Sequence, residues 1–124
     1  MRHHPGMISG GIHHLALRVA DPERSLRFYG GVLGLEEARR FEEDGRVRSI
    51  WVRAAGAVIM LEREIKGRGP AAGSGHVLVL AADDLEAWEV RLAGAGIEVL
   101  DRTAATLFFA DPDGHRVGLS VYPI

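Results

Sequence analysis

The chain has no cysteine in its 124 residues, which excludes disulfides, thiolate metal sites and thiol catalysis. It also lacks a charge excess. Fifteen Lys and Arg stand against seventeen Asp and Glu, a formal net charge of −2, so there is no basic field for nucleic acid and no polybasic anchor for a membrane. Long apolar runs are missing too: the longest, Val77 to Ala82, falls far short of the ~20 residues that cross a bilayer. The opening Met1-Arg2-His3-His4-Pro5-Gly6 carries no apolar signal core, so a cytoplasmic protein is expected, with residues 1–11 as a loose tail. What is present is ordinary for a globular chain, 47% apolar and 26% charged. That is enough for one real core and too little for two independent domains.

The informative feature is a repeat. His14-Leu-Ala-Leu-Arg-Val-Ala-Asp21 is echoed by His76-Val-Leu-Val-Leu-Ala-Ala-Asp83, an offset of 62 positions. The same offset sets Leu26 on Trp88, Gly34 on Gly96, Leu35 on Ile97 and Glu36 on Glu98. Each half therefore reads alike. Ile12 to Ala20 is a predicted strand, and Asp21 caps a helix that Pro22 can start, because proline's missing N–H costs nothing there. Leu26, Tyr29, Val32 and Leu33 form its apolar stripe, and Gly34 ends it. In the second half Asp83 and Glu86 form a capping-box-like start. Leu85, Trp88, Leu92 and Ala95 supply the stripe, and Gly96 closes it.

Short strands follow each helix. Glu36 to Phe41, Arg46 to Val52 and Ala57 to Glu64 are expected in the first half, the last two joined at Ala-Ala-Gly56. Ile97 to Asp101, Thr106 to Ala110 and His115 to Val121 are their counterparts, with Asp111-Pro112-Asp113-Gly114 as a type I turn. The expected organisation is α+β: one βαβββ module over 12–65, a Gly- and Pro-rich linker over 66–75 and a second module over 76–124.

A strand opening on His14, an Asp-Pro-capped helix, Phe28-Tyr29, Val32-Leu33-Gly34-Leu35 and the late Asp111-Pro112-Asp113-Gly114 together resemble the vicinal oxygen chelate superfamily. That superfamily includes glyoxalase I, fosfomycin and bleomycin resistance proteins and extradiol dioxygenases. The resemblance covers about Ile12 to Val121. It implies tandem βαβββ modules whose curved mixed sheets form a cup, within one chain or across a homodimer, a homodimer being typical at this length. It also implies a metal site on the first and last strands of each module. The first-strand positions are His14 and His76. The last-strand positions, where glyoxalases carry Glu, read Ile59-Met60-Leu61 and Val117-Gly118-Leu119.

Both carboxylates are therefore missing. Catalytic metal sites commonly use three protein ligands, and a hard or borderline divalent ion asks for oxygen beside imidazole. A thioether at Met60 is a soft donor, and Gly118 has no side chain. Glu62 shares the face of Met60 but lies ~6–7 Å further along the strand, so it reaches a metal only if the strand shifts. Arg18, Ser120 and Tyr122 are further expected lining residues of the cup; Arg46, Arg48 and Trp51 are weaker candidates. His13 is expected to point away from His14, and His115 to be a surface residue.

Two readings stay open. In one, the cup binds a small molecule and its metal site is degenerate, with Met60 supplying an adaptable apolar surface and Gly118 opening space. In the other, His14 and His76, with or without Glu62, hold one divalent metal ion for a lyase, isomerase, transferase or dioxygenase. Both take a small-molecule partner.

Overall fold

The computed structural model describes residues 6–8, 11–65 and 75–124. Most of the expected linker, residues 66–74, and much of the expected tail, residues 1–5 and 9–10, lie outside the described residues. The first module contains β1 (His14–Arg18), α1 (Pro22–Leu26) continued by a π-helical stretch (Arg27–Val32), β2 (Glu37–Glu43), β3 (Arg46–Ala54) and β4 (Ala57–Glu62). The second contains β5 (Val77–Ala81), α2 (Leu85–Gly94), β6 (Asp101–Arg102), β7 (Thr106–Ala110) and β8 (Arg116–Ser120). Each module makes a four-stranded mixed sheet, ordered β1-β4-β3-β2 and β5-β8-β7-β6. In each, the first strand runs parallel to the last and the other pairings are antiparallel. Among the described residues no helix is long and apolar enough to cross a membrane.

Strand alternation assigns the faces. Ile59 and Leu61 of β4, with Ile50 and Val52 of β3, are buried, as are Leu107, Phe109, Val117 and Leu119 of β7 and β8. Apart from Ile50, these residues join Phe28, Tyr29 and Leu33 from the first helix and Leu85 and Leu92 from α2 in one core. Phe28 packs on Phe109 with ring centroids 5.9 Å apart, so the first helix touches the second sheet. Burying each large apolar side chain of this set contributes about 1.5–3 kcal/mol. The helix-bearing faces of both sheets are thus spent on one shared core.

A polar clasp adds to that core. Asp111 is buried; its carboxylate accepts the Tyr29 hydroxyl at 2.7 Å and the backbone N–H groups of Asp113 and His115 at 2.9 and 2.8 Å. Asp113 accepts from the Ala20 N–H at 2.8 Å and from Arg24 at 3.0 Å. The second module's Asp-Pro-Asp-Gly turn, closed by Gly114 N–H on the Asp111 carbonyl at 3.0 Å, therefore grips the β1–α1 junction of the first. Burial, then the neighbouring Asp111 charge, pushes the Tyr29 phenol well above its ordinary value, so it stays a donor.

The structure corrects three local expectations. The α2 cap is Asp84, not Asp83: Asp84 is extended (φ −148°, ψ 101°), and its carboxylate accepts the Ala87 N–H at 3.2 Å. The strand expected over Ile97 to Asp101 shrinks to Asp101–Arg102, although Ile97 and Val99 still pack against the core. The repeat is also not gapless. The caps Asp21 and Asp84 are 63 residues apart, while the helix-ending glycines Gly34 and Gly96, both at positive φ, are 62 apart. The first helix holds one residue more, and its π-helical stretch absorbs it: the Leu33 N–H reaches back five residues to the Phe28 carbonyl at 3.0 Å.

Candidate functional site

The faces turned away from the core carry most of the expected site. In the first sheet His14, Ala16 and Arg18 pair with Val58, Met60 and Glu62, and across β4 stand Arg53, Trp51 and Ser49. Arg39 and Phe41 of β2 lie opposite Trp51 and Ser49. The Trp51 indole N–H donates to the Ser49 hydroxyl at 3.1 Å, and the indole packs against the Phe41 ring at 5.3 Å, with the Arg39 guanidinium over Phe41. The Met60 slot is therefore bordered by an aromatic stack that sequence reasoning treated only as Trp51.

In the second sheet Val77, Val79 and Ala81 pair with Arg116, Gly118 and Ser120, and Phe108 stands across from Gly118. A Cβ placed on Gly118 would lie 3.1 Å from two carbons of the Phe108 ring and 3.2 Å from the Leu107 carbonyl oxygen. Gly118 does not open space. The Phe108 ring covers it, with the Arg116 guanidinium 4.5 Å from the ring centroid. The signal was available by counting across the Asp111–Gly114 turn, which puts Phe108 beside Gly118.

The matching slots also realign the first strands. Met60 pairs with Ala16 and Gly118 with Val79, so the counterpart of His14 in the second sheet is Val77. His76 stands one residue ahead of β5, and the assumed equivalence of the two histidines does not hold in the sheet register. His14 is exposed at the start of β1. Its Nδ1 lies 2.9 Å from Nδ1 of His13, whose ring meets it edge-on rather than pointing away.

Glu62 is engaged elsewhere: its carboxylate accepts from Arg48 Nε at 3.0 Å, and Arg48 also bonds Glu43 at 2.8 Å. The Glu43 hydrogen bond first, then Glu62, raises the Arg48 pKa above its ordinary value. Arg46 pairs with Glu43 of β2, outside the Ser49–Ala54 stretch of β3 that pairs with β4. The Arg18 guanidinium donates to the Ile65 carbonyl at 3.1 Å. Ser120 accepts from the Thr106 hydroxyl at 2.8 Å and from the Tyr122 N–H at 3.1 Å. Tyr122 lies past the end of β8 and is 70% exposed. His115 is half-buried, with Nε2 2.7 Å from the Arg18 carbonyl, and belongs to the clasp rather than to the surface.

These residues do not fit the metal site that the resemblance implies. One carboxylate slot holds a thioether, the other a glycine under a phenyl ring, and Glu62 is tied to Arg48. Among the described residues no group of three or more His, Asp or Glu side chains is assembled to hold an ion. An almost wholly apolar cavity of about 520 Å³ does run where β1 and β4 meet β5, bordered by Leu15, Val58, Ile59, Val77 and Val79.

Comparison with known proteins agrees with the fold. The model of the Glyoxalase/Bleomycin resistance protein/Dioxygenase superfamily matches residues 11–119. Virulence protein STM3117 of Salmonella typhimurium is 28% identical, over 98% of this chain and 92% of its own length. Glutathione transferase FosA of Serratia marcescens is 27% identical, over 89% of this chain and 79% of its own. Among solved structures, the fosfomycin resistance protein FosX of Mesorhizobium loti superimposes with a TM-score of 0.76 at 21% identity, covering 95% of each chain. TnmS3, an antibiotic binding protein from Streptomyces sp. CB03234, gives 0.75 at 23% identity over 93% of this chain and 98% of that one. The chain belongs to the glyoxalase/bleomycin resistance/dioxygenase superfamily.

Proposed function

We propose that this superfamily member binds a small organic molecule in a cup that has lost the family's metal-ligand set. The observation that carries the proposal is the Phe108 ring lying over Gly118, where a metal-holding member would need a carboxylate. In this reading Met60, Trp51 and Phe108 give an apolar and aromatic floor. His14 and Arg18 supply polar groups at its edge, and Ser120 and Tyr122 border the far end. The relatives named for fosfomycin resistance and antibiotic binding support a small-molecule ligand.

The cup is assembled by a homodimer. Both helix-bearing faces are already buried in one core within the chain, so the faces carrying Met60 and Gly118 both lie outside that core. Val77 and Val79 remain 44% and 46% exposed on the first strand of the second sheet. A second copy that sets its first module against this face would cover them and bring the two half-sites together.

The test uses chelator-treated protein carrying Trp88→Phe, so that Trp51 is the sole indole. Fosfomycin and metal-free bleomycin are titrated in while Trp51 emission is followed. Saturable binding without metal, weakened at least tenfold by Trp51→Ala, supports the reading. Divalent-metal-dependent conversion of fosfomycin, lost in His14→Ala, overturns it in favour of a metalloenzyme.

A further inference from the structure

The cup faces differ in charge from the chain that bears them. The whole chain has a formal charge of −2. On the faces carrying Met60 and Gly118, the strand pairings set Arg18, Arg39, Arg53 and Arg116 against two carboxylates, Glu62 and Asp101. Glu62 already accepts from Arg48 at 3.0 Å. Asp101 meets Arg116 at 3.3 Å with both side chains well exposed, a pair that solvent screens. Arg39 and Arg53 have no carboxylate within ion-pair distance among the described residues. The neutral polar groups are spent on one another: the Trp51 N–H donates to Ser49 at 3.1 Å and the Thr106 hydroxyl to Ser120 at 2.8 Å. What is left to meet a ligand is chiefly guanidinium, which donates and cannot accept.

The rings set a second requirement. In each module one guanidinium lies over an aromatic ring: Arg39 is 4.9 Å from the Phe41 centroid, beside Trp51, and Arg116 is 4.5 Å from the Phe108 centroid. A pocket built for a cation keeps its aromatic faces open to that cation. Here Phe41 and Phe108 each already hold a protein cation, so a cationic ligand meets like charge. A flat ligand with an anionic edge suits both features at once.

We infer that the cup takes a planar aromatic anion, an arene carboxylate being its simplest form, stacked on Trp51 and Phe108 with its charge met by Arg39 and Arg116. The inference rests on the reading that these two faces line one ligand cup. Arginine suits the task better than lysine, because its planar fork pairs with a carboxylate through two parallel bonds and also lies flat on a ring. Arg53 adds to the positive field that draws the anion in. No part of this recognition uses a metal, His14 or His76.

The test is fluorescence anisotropy of anthracene-2-carboxylate and of its neutral carboxamide on the chelator-treated full-length chain. The carboxylate should bind at least tenfold more tightly than the carboxamide. Arg39→Gln and Arg116→Gln should each weaken the carboxylate at least fivefold and the carboxamide far less, a split that a merely structural role would not produce. Trp51→Ala should weaken both probes alike. Cyclohexanecarboxylate, which has the charge without the plane, should displace the probe at least tenfold less well than 2-naphthoate. A carboxamide bound as tightly as the carboxylate, or cyclohexanecarboxylate displacing as well as 2-naphthoate, overturns the inference and leaves the small-molecule reading standing. Failure of both anthracene probes to bind overturns it too. Divalent-metal-dependent conversion of fosfomycin instead overturns the reading beneath it.

Discussion

The two modules solve the same loss in different ways. In the first, the slot at Met60 keeps a side chain of its own, and the aromatic surface stands beside it as Trp51 backed by Phe41. In the second, the slot at Gly118 has no side chain, and its neighbour Phe108 lies over it. One half substitutes; the other vacates and is overgrown. The difference teaches that a degenerate site need not leave a hole. A closely packed interior favours a neighbour that fills the gap, and here the filler comes from the adjacent strand.

The sharpest way to break this comparison is to restore a carboxylate in each slot. Gly118→Glu should cost about 1–3 kcal/mol, because its Cβ meets both the Phe108 ring and the Leu107 carbonyl. Phe108→Ala in the same chain should return part of that loss. Denaturant midpoints measure both, and equal stability of Gly118→Glu and the parent would show that the ring does not hold the slot. Met60→Glu is the matched control. It replaces a half-buried side chain with one of similar length and should cost less than Gly118→Glu by the same measurement.

Next in size is the clasp, which joins the halves. Tyr29→Phe leaves the buried Asp111 carboxylate without its hydroxyl donor, a loss of about 1–3 kcal/mol. Its pH signature has a definite sign. The Tyr29 pKa is raised in the fold above its ordinary 10.0, so the stabilisation is complete below that value and declines as pH rises past it, where only the unfolded chain releases the proton. Thermal melts from pH 8 to 11 should show a decline that is shallower in Tyr29→Phe. Parallel declines would assign the alkaline loss to other groups.

The smallest effect contrasts the two hairpin turns. The second module uses the four-residue Asp111–Gly114 turn, but the first uses Ala55-Gly56 with Ala55 at φ 52°, a conformation that costs a side-chain-bearing residue about 1 kcal/mol. Ala55→Gly should therefore raise the thermal midpoint slightly, and a fall would mean that the strain is already relieved.

Local signals in the sequence were reliable where one residue type has one physical use. Asp21 with Pro22 starts a helix, Gly34 and Gly96 end one, and the Asp111–Gly114 turn falls where its residues require it. The superfamily was legible for the same reason. What escaped depended on partners distant in sequence. His115 looked like a surface residue because its partner, the Arg18 carbonyl, lies 97 residues away. Glu62 looked available because nothing near it in sequence announced Arg48. Gly118 looked empty because a glycine says nothing about who leans over it. His13 was misplaced by applying strand alternation one residue before the strand begins.

The π-helical turn has a consequence for reading ancestry. A residue inserted into a strand reverses every side chain beyond it, whereas one inserted into a helix can be held in a single widened turn. The first helix absorbs its additional residue in this way, and its ends still meet their strands in register. Laid side by side without a gap, the two halves of the gene match correctly after the helix and slip by one before it. That slip is what sets His14 on His76 in the ungapped repeat, where the sheet register sets it on Val77.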